Sequence, residues 1–161
     1  MPERGVNILA EAFVPESNRL IKLADPELGN LEWTVDGWVG RVEINGRVVR
    51  LELDPDRENP SRAEQLAIIE PSRRFLAAVR AAEPSLQGEA VGQIADAVAE
   101  QQSAVELARD PFKNSLALEA ISLHGSGGAL HYRSDSFFPG QTITVFFNSD
   151  LSDVEASVYE A

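Results

Sequence analysis

Cysteine is missing from all 161 residues. Its absence excludes disulfides, thiolate metal sites and cysteine nucleophiles together, and suits a reducing compartment. Basic residues are scarce: 14 Lys and Arg stand against 26 Asp and Glu, for a net charge of −12. They are scattered and form no run. A nucleic-acid binder concentrates Lys and Arg to neutralise phosphates, and an anionic membrane attracts the same clusters. Neither nucleic acid nor a membrane surface is therefore an expected partner. The acidic surplus keeps a chain soluble, and it would also draw a basic protein. Long apolar runs are lacking too, with no window near the ~18 residues that cross a bilayer. Met1 to Gly5 lack the basic segment and apolar stretch of a signal peptide. The expected address is the cytoplasm.

What remains is an ordinary globular composition, 43% hydrophobic and 25% charged, enough for one core and one domain over residues 1–161. The order of signals is strands, then helices, then strands, which points to α+β rather than alternating βαβ. Val6–Val14 fits either a short helix or a strand, and Leu20–Leu23 reads as an extended segment ended by a turn at Asp25-Pro26. Leu31–Val35 reads as a strand that turns at Asp36-Gly37. The strongest local signal follows: Trp38–Ile44 and Arg47–Leu53 flank Asn45-Gly46, the dipeptide that best tolerates two positive φ angles. That turn sets Ile44 against Arg47, Val42 against Val49, Gly40 against Leu51 and Trp38 against Leu53. Trp38, Val42, Val49, Leu51 and Leu53 then share one face, while Arg41, Glu43, Val48, Arg50 and Glu52 share the other. Arg41 opposes Arg50 in this register, with Glu43 and Glu52 as diagonal partners across the strands.

The middle of the chain reads as two to three helices. Asn59 caps the first, with Pro60 at its first position. Pro71 kinks it or splits it in two, and Pro84 ends it. A further helix spans about Glu89–Ala108, with Val91, Ile94, Ala95, Val98 and Val105 on one stripe, and stops at Asp110-Pro111. The last third returns to strands: Ala120–His124, Ala129–Arg133, Gln141–Phe147 and Val154–Tyr159. The expected product is an antiparallel meander, or meanders, with the helices packed on one face.

Chemistry-bearing residues are few. Only two histidines occur, His124 and His131, in one hairpin around Gly125-Ser126-Gly127-Gly128. With Ser126-Gly127 as the turn, Leu123 faces Leu130, His131 faces Ser122, His124 faces Ala129, and the two imidazoles become diagonal neighbours; a turn at Gly127-Gly128 puts them directly opposite, still on one face. With Asp135 they are the candidate acid–base or metal pair. No HxxxH spacing, phosphate loop or GxSxG elbow accompanies them. Asp54, Asp56 and Glu58 alternate after the first hairpin, but lack the glycine and bidentate Glu of a calcium loop and read as a solvated turn. Among Phe137, Phe138, Phe146 and Phe147, three are expected in the core, with Phe137 or Phe138 left at the surface as a binding contact.

Leu28-Gly29-x-Leu31-x-Trp33, Trp38-x-Gly40-x-Val42, Val49-x-Leu51-x-Leu53-Asp54, a strand over Leu118–Leu123 and Phe137-Phe138-x-Gly140-Gln141-x-Ile143-x-Val145 occur in that order. This outline resembles small bacterial domains of the family called domain of unknown function 2262, over roughly Asp25 to Tyr159. The resemblance implies an α+β fold and an immunity-like role, and carries no activity. The chain departs from it at Gln141, where the family often has histidine, and at its Tyr159-Glu160-Ala161 end, where a glycine is usual.

The resulting expectation is a noncatalytic acidic binding domain, immunity-like or regulatory, in a bacterial cytoplasm. Its expected partner is a basic protein, no cofactor is implied, and His124, His131, Asp135, Phe137 and Phe138 are the candidate contacts. Two alternatives stand beside it: a small metal- or histidine-dependent enzyme built on the histidine hairpin, and a scaffolding or self-association domain.

Overall fold

A computed structural model describes residues 20–102 and 105–160. The ambiguous stretch Val6–Val14 lies outside the described residues. Among the described residues eight strands lie in chain order in one sheet: β1 Lys22–Asp25, β2 Gly29–Thr34, β3 Gly37–Ile44, β4 Arg47–Leu53, β5 Ala117–His124, β6 Gly127–Arg133, β7 Gln141–Asn148 and β8 Glu155–Glu160. Helices α1 (Arg62–Ala67), α2 (Ile69–Gln101) and α3 (Arg109–Ser115) connect β4 to β5. Every neighbouring pair is antiparallel except β4 and β5, which are parallel. A parallel pair needs a long crossover, and the three helices supply it. The two expected meanders thus merge into one sheet at this joint.

The Asn45-Gly46 hairpin has the expected register throughout, with φ of 50° and 85° at its two turn residues. Trp38, Val42, Val49, Leu51 and Leu53 are buried and Val48 is exposed. Arg50 pairs with Glu52 along its own strand, at 2.8 Å, and not across to Glu43. The core lies between the sheet and α2, joining Leu76, Val79, Leu86 and Val91 of the helix to Leu51, Ile121, Leu130, Tyr132 and Val145 of the strands.

The helices depart from expectation in three places. Ser61, not Asn59, caps α1: its hydroxyl accepts from the Glu64 N–H and the Glu64 carboxylate accepts from the Ser61 N–H, a reciprocal pair that outcompetes a lone Asn. Pro71 falls in the first turn of α2, where no N–H is needed, so the split between α1 and α2 comes at Ile68. Pro84 does not end the helix; α2 runs through it for 33 residues, about 50 Å. The residue before it, Glu83, is held by the sheet. Its carboxylate accepts from the Tyr132 hydroxyl at 2.7 Å and from the Asn45 amide at 3.0 Å. One turn earlier, Arg80 donates to the Glu43 carbonyl at 3.0 and 3.1 Å. These contacts fix both sides of the missing hydrogen bond. Asp110-Pro111 likewise opens α3 instead of closing α2, which stops at Gln101, and Val105 is exposed beyond it.

The second hairpin pairs two residues away from the expected register: Leu123 opposes Gly128, Ile121 opposes Leu130 and Ala120 opposes His131. The loop is Gly125-Ser126, and both following glycines enter β6. A Cβ on Gly127 would sit 2.2 Å from the Phe147 carbonyl oxygen, so the close approach of β7 claims that glycine for the strand. A shift of two preserves the faces, so the apolar residues still meet α2.

Candidate functional site

The parallel strands β4 and β5 end side by side, and the molecule's polar chemistry gathers there. The Asp54 N–H donates to the Leu123 carbonyl at 2.8 Å, closing the joint. The chain then turns at Asp56, with φ of 56°, as its N–H donates to the Asp54 carboxylate at 2.8 Å. The Asp56 carboxylate accepts from the Gly125 N–H at 2.9 Å and lies 3.8 Å from His124 Nδ1. That nitrogen is 3.0 Å from the Ser126 hydroxyl. The acidic loop is thereby tied to the histidine hairpin.

Two adjoining clefts share Asp54. The larger, about 680 Å³, is lined by Trp33, Val35, Asp36, Asp54, Asp56, Arg57 and Glu58 with the neighbouring backbone. The smaller, about 440 Å³, has apolar walls of Ala67, Ile68, Pro71, Phe75 and Ala78, with Ser72, Arg74, His124 and Ser149 at its polar positions. Four carboxylates line the larger cleft, and the one cation among the described residues that line it, Arg57, is held by Glu64 at 2.7 Å. Trp33 stands edge to face against the buried Trp38, with ring centroids 5.2 Å apart and planes at 81°. Trp38 is itself pinned by its Nε1–H to the Gln65 carbonyl at 3.1 Å. A fixed indole beside four carboxylates is a setting for a cation, through charge and through the ring face.

The candidate residues from sequence do not assemble into one site. His124 reaches the smaller cleft. His131 lies elsewhere on the helix-free face of the sheet, and the two histidines do not touch, because the register shift separates them by four positions along the hairpin, roughly 13 Å. His131 Nε2 is 3.1 Å from the Ser122 hydroxyl and Nδ1 is 3.3 Å from the Thr144 hydroxyl. Burial holds its pKa below the ordinary imidazole value, with Glu52 pulling weakly the other way. A serine against an imidazole can be a nucleophile, but here the carboxylate, Glu52, contacts the serine at 3.4 Å and not the far imidazole nitrogen. The flanking backbone N–H groups are spent in the sheet, so nothing waits to stabilise an oxyanion. Asp135 pairs with Arg133 at 3.1 Å. Phe137 and Phe138 are half-buried, each 5.4 Å from the ring of buried Phe112 on α3. The exposed member of the phenylalanine set is Phe146, at 42%, and not Phe137 or Phe138. Among the described residues no group of three His, Asp or Glu side chains is placed to hold a metal ion.

Trp33 and Asp36 were not among the candidate site residues from sequence, and Asp54, Asp56 and Glu58 read only as a solvated turn. The available signal was Asp36-Gly37 and the acidic alternation, two turns that only the β2–β3–β4 pairing brings together. Comparison with family models, curated proteins and solved structures found no match.

Proposed function

We propose that this is a noncatalytic binding domain that captures a positively charged segment of a partner protein in the Trp33 cleft, as an inhibitory or regulatory domain would. The observation that carries the reading is the cleft itself: Asp36, Asp54, Asp56 and Glu58 around a braced indole, with Arg57, the lining cation among the described residues, already paired to Glu64. Arginine or lysine side chains suit it, since their stems cover apolar surface while the head group meets carboxylates and ring. The net charge of −12 would speed the encounter and make it sensitive to salt. The smaller cleft, with its apolar walls and His124, would take the residue that follows the cation.

The test compares an arginine-rich nonapeptide with its citrulline counterpart, which keeps the shape and removes the charge. The arginine peptide should bind, weaken with added salt and lose about tenfold or more in the D36N/E58Q double variant, since neither side chain makes a hydrogen bond or ion pair among the described residues. Equal binding of the two peptides, or binding indifferent to the double variant, would overturn the proposal.

A further inference from the structure

We infer that the outer edge of β8 accepts an extended, basic segment of another protein as an additional strand. Among the described residues the sheet ends at β8, and its register with β7 is unbroken from Gln141–Glu160 to Phe146–Glu155. Gln93 of α2 reveals which backbone groups face outward. Its side-chain carbonyl accepts from the Ala156 N–H at 2.8 Å, and its amide donates to the Val154 carbonyl at 2.7 Å. An N–H taken by Gln93 is not pointing at β7. The two-residue alternation of a strand then puts the N–H groups of Val158 and Glu160, and the carbonyls of Ala156 and Val158, on the same outer edge. The Gln93 amide mimics one peptide unit of a neighbouring strand and covers only the first part of the edge. Among the described residues nothing pairs with the rest.

Charge decides between occupants. Glu155 and Glu160 lie at the two ends of β8, and the strand carries no basic residue. A second copy would set a strand with two glutamates and no basic residue, on a chain of net charge −12, against its own like, which disfavours self-pairing. A basic segment gains where a copy loses. On the helix-free face, Phe146 and Tyr159 are both exposed and meet edge to face at 6.5 Å, over Ser157. Lysine or arginine stems on that side would cross these rings and reach Glu155. On the other side, small aliphatic residues would sit beside Ala156 and Val158. The fitting partner is an extended strand with basic residues on one face and aliphatic ones on the other, held by main-chain hydrogen bonds. This edge is separate from the Trp33 cleft and does not depend on it.

The test uses a blocked heptapeptide alternating lysine with valine, added to the full chain while amide hydrogen exchange is read residue by residue. The Val158 and Glu160 N–H groups should slow about tenfold at saturation. A version N-methylated at alternate residues, with the same charge but without the donors, should not slow them, and neither should a glutamate–valine peptide. Gln93→Ala should bring the Ala156 N–H into the protected set and tighten binding several-fold, while D36N/E58Q should leave the protection unchanged. No slowing with the lysine–valine peptide, or equal slowing with the N-methylated one, would overturn the inference. So would protection that rises with protein concentration alone, which would make a second copy the occupant.

Discussion

Tyr132→Phe removes one oxygen atom from the core and should cost far more than its size suggests. Tyr132 is 1% exposed and its hydroxyl donates to Glu83 at 2.7 Å. Burial, and the Glu83 carboxylate beside it, push its pKa well above the ordinary phenol range, so it remains a donor at any pH at which the fold is studied. Without that hydroxyl, Glu83 is a buried carboxylate at 9% exposure with Asn45 as its remaining donor. Hydrogen bonds to charged groups contribute about 1.5–3 kcal/mol. Glu83 can swing partly toward water, so a loss of about 2 kcal/mol is expected. For a chain of this length that lowers Tm by about 4–8 °C. Thermal and urea unfolding should be run on Tyr132→Phe, Glu83→Ala and the double variant. The pair should couple by about 1 kcal/mol, so that the double variant is less destabilised than the sum of the singles. Glu83→Ala should also lower the helical signal in circular dichroism, because the same contact holds α2 through Pro84. A Tyr132→Phe chain within about 0.5 kcal/mol of the parent, with no coupling, would refute the reasoning.

Two further predictions concern pH and one concerns packing. Asp25 has a side chain 2% exposed that accepts from the Glu27 and Leu28 N–H groups, at 2.9 and 2.8 Å, and from Arg73. Burial alone would raise its pKa, but the Arg73 hydrogen bond and the two N–H groups outweigh it and hold the carboxyl below its ordinary value. The stability it contributes is present above the unfolded pKa of about 3.9 and is lost as pH falls through the lower folded value. Because Arg73 is 37% exposed, Asp25→Asn should cost only about 1–2 kcal/mol near neutrality, and less in acid; unfolding curves across that window check it. For His131, whose pKa burial lowers, the unfolded chain takes up a proton below about 6.5 while the fold resists, so stability falls as pH drops through that region. His131→Gln should flatten that slope in pH-dependent melts, and an unchanged slope would assign it elsewhere. Gly37 has φ of 132°, and a Cβ there would lie 2.2 Å from the Leu53 carbonyl oxygen. Gly37→Ala should therefore destabilise by more than about 2 kcal/mol, measured by urea denaturation, and should loosen the Trp33 cleft.

The parts of the fold legible from sequence are those where one local interaction leaves no alternative. Asn45-Gly46 admits a single two-residue turn, and that turn dictates the register from Trp38 to Leu53. Four consecutive small residues, Gly125 to Gly128, admit several turns, and the contact of Gly127 with β7 chooses among them. Pro84 is a local stop signal overruled by the contacts that Glu83 and Arg80 of α2 make with Tyr132, Asn45 and Glu43 from distant segments. Asp110-Pro111 carries the same two residues whether it ends a helix or begins one. The site was the least legible. Asp54, Asp56 and Glu58 are adjacent in sequence, but the tryptophan and histidine that give them meaning arrive by strand pairing, one of them across the parallel joint with β5.

The most direct test of cation capture follows the two indole N–H signals in a ¹H–¹⁵N correlation spectrum while the arginine nonapeptide is added. Trp38 is buried and its N–H is bound to the Gln65 carbonyl, so its signal should stay in place as an internal control. The Trp33 signal should shift saturably, return when salt is raised, and ignore the citrulline peptide. A Trp33 signal that stays still while the peptide binds, or that moves equally for both peptides, would contradict recognition of a cation in this cleft.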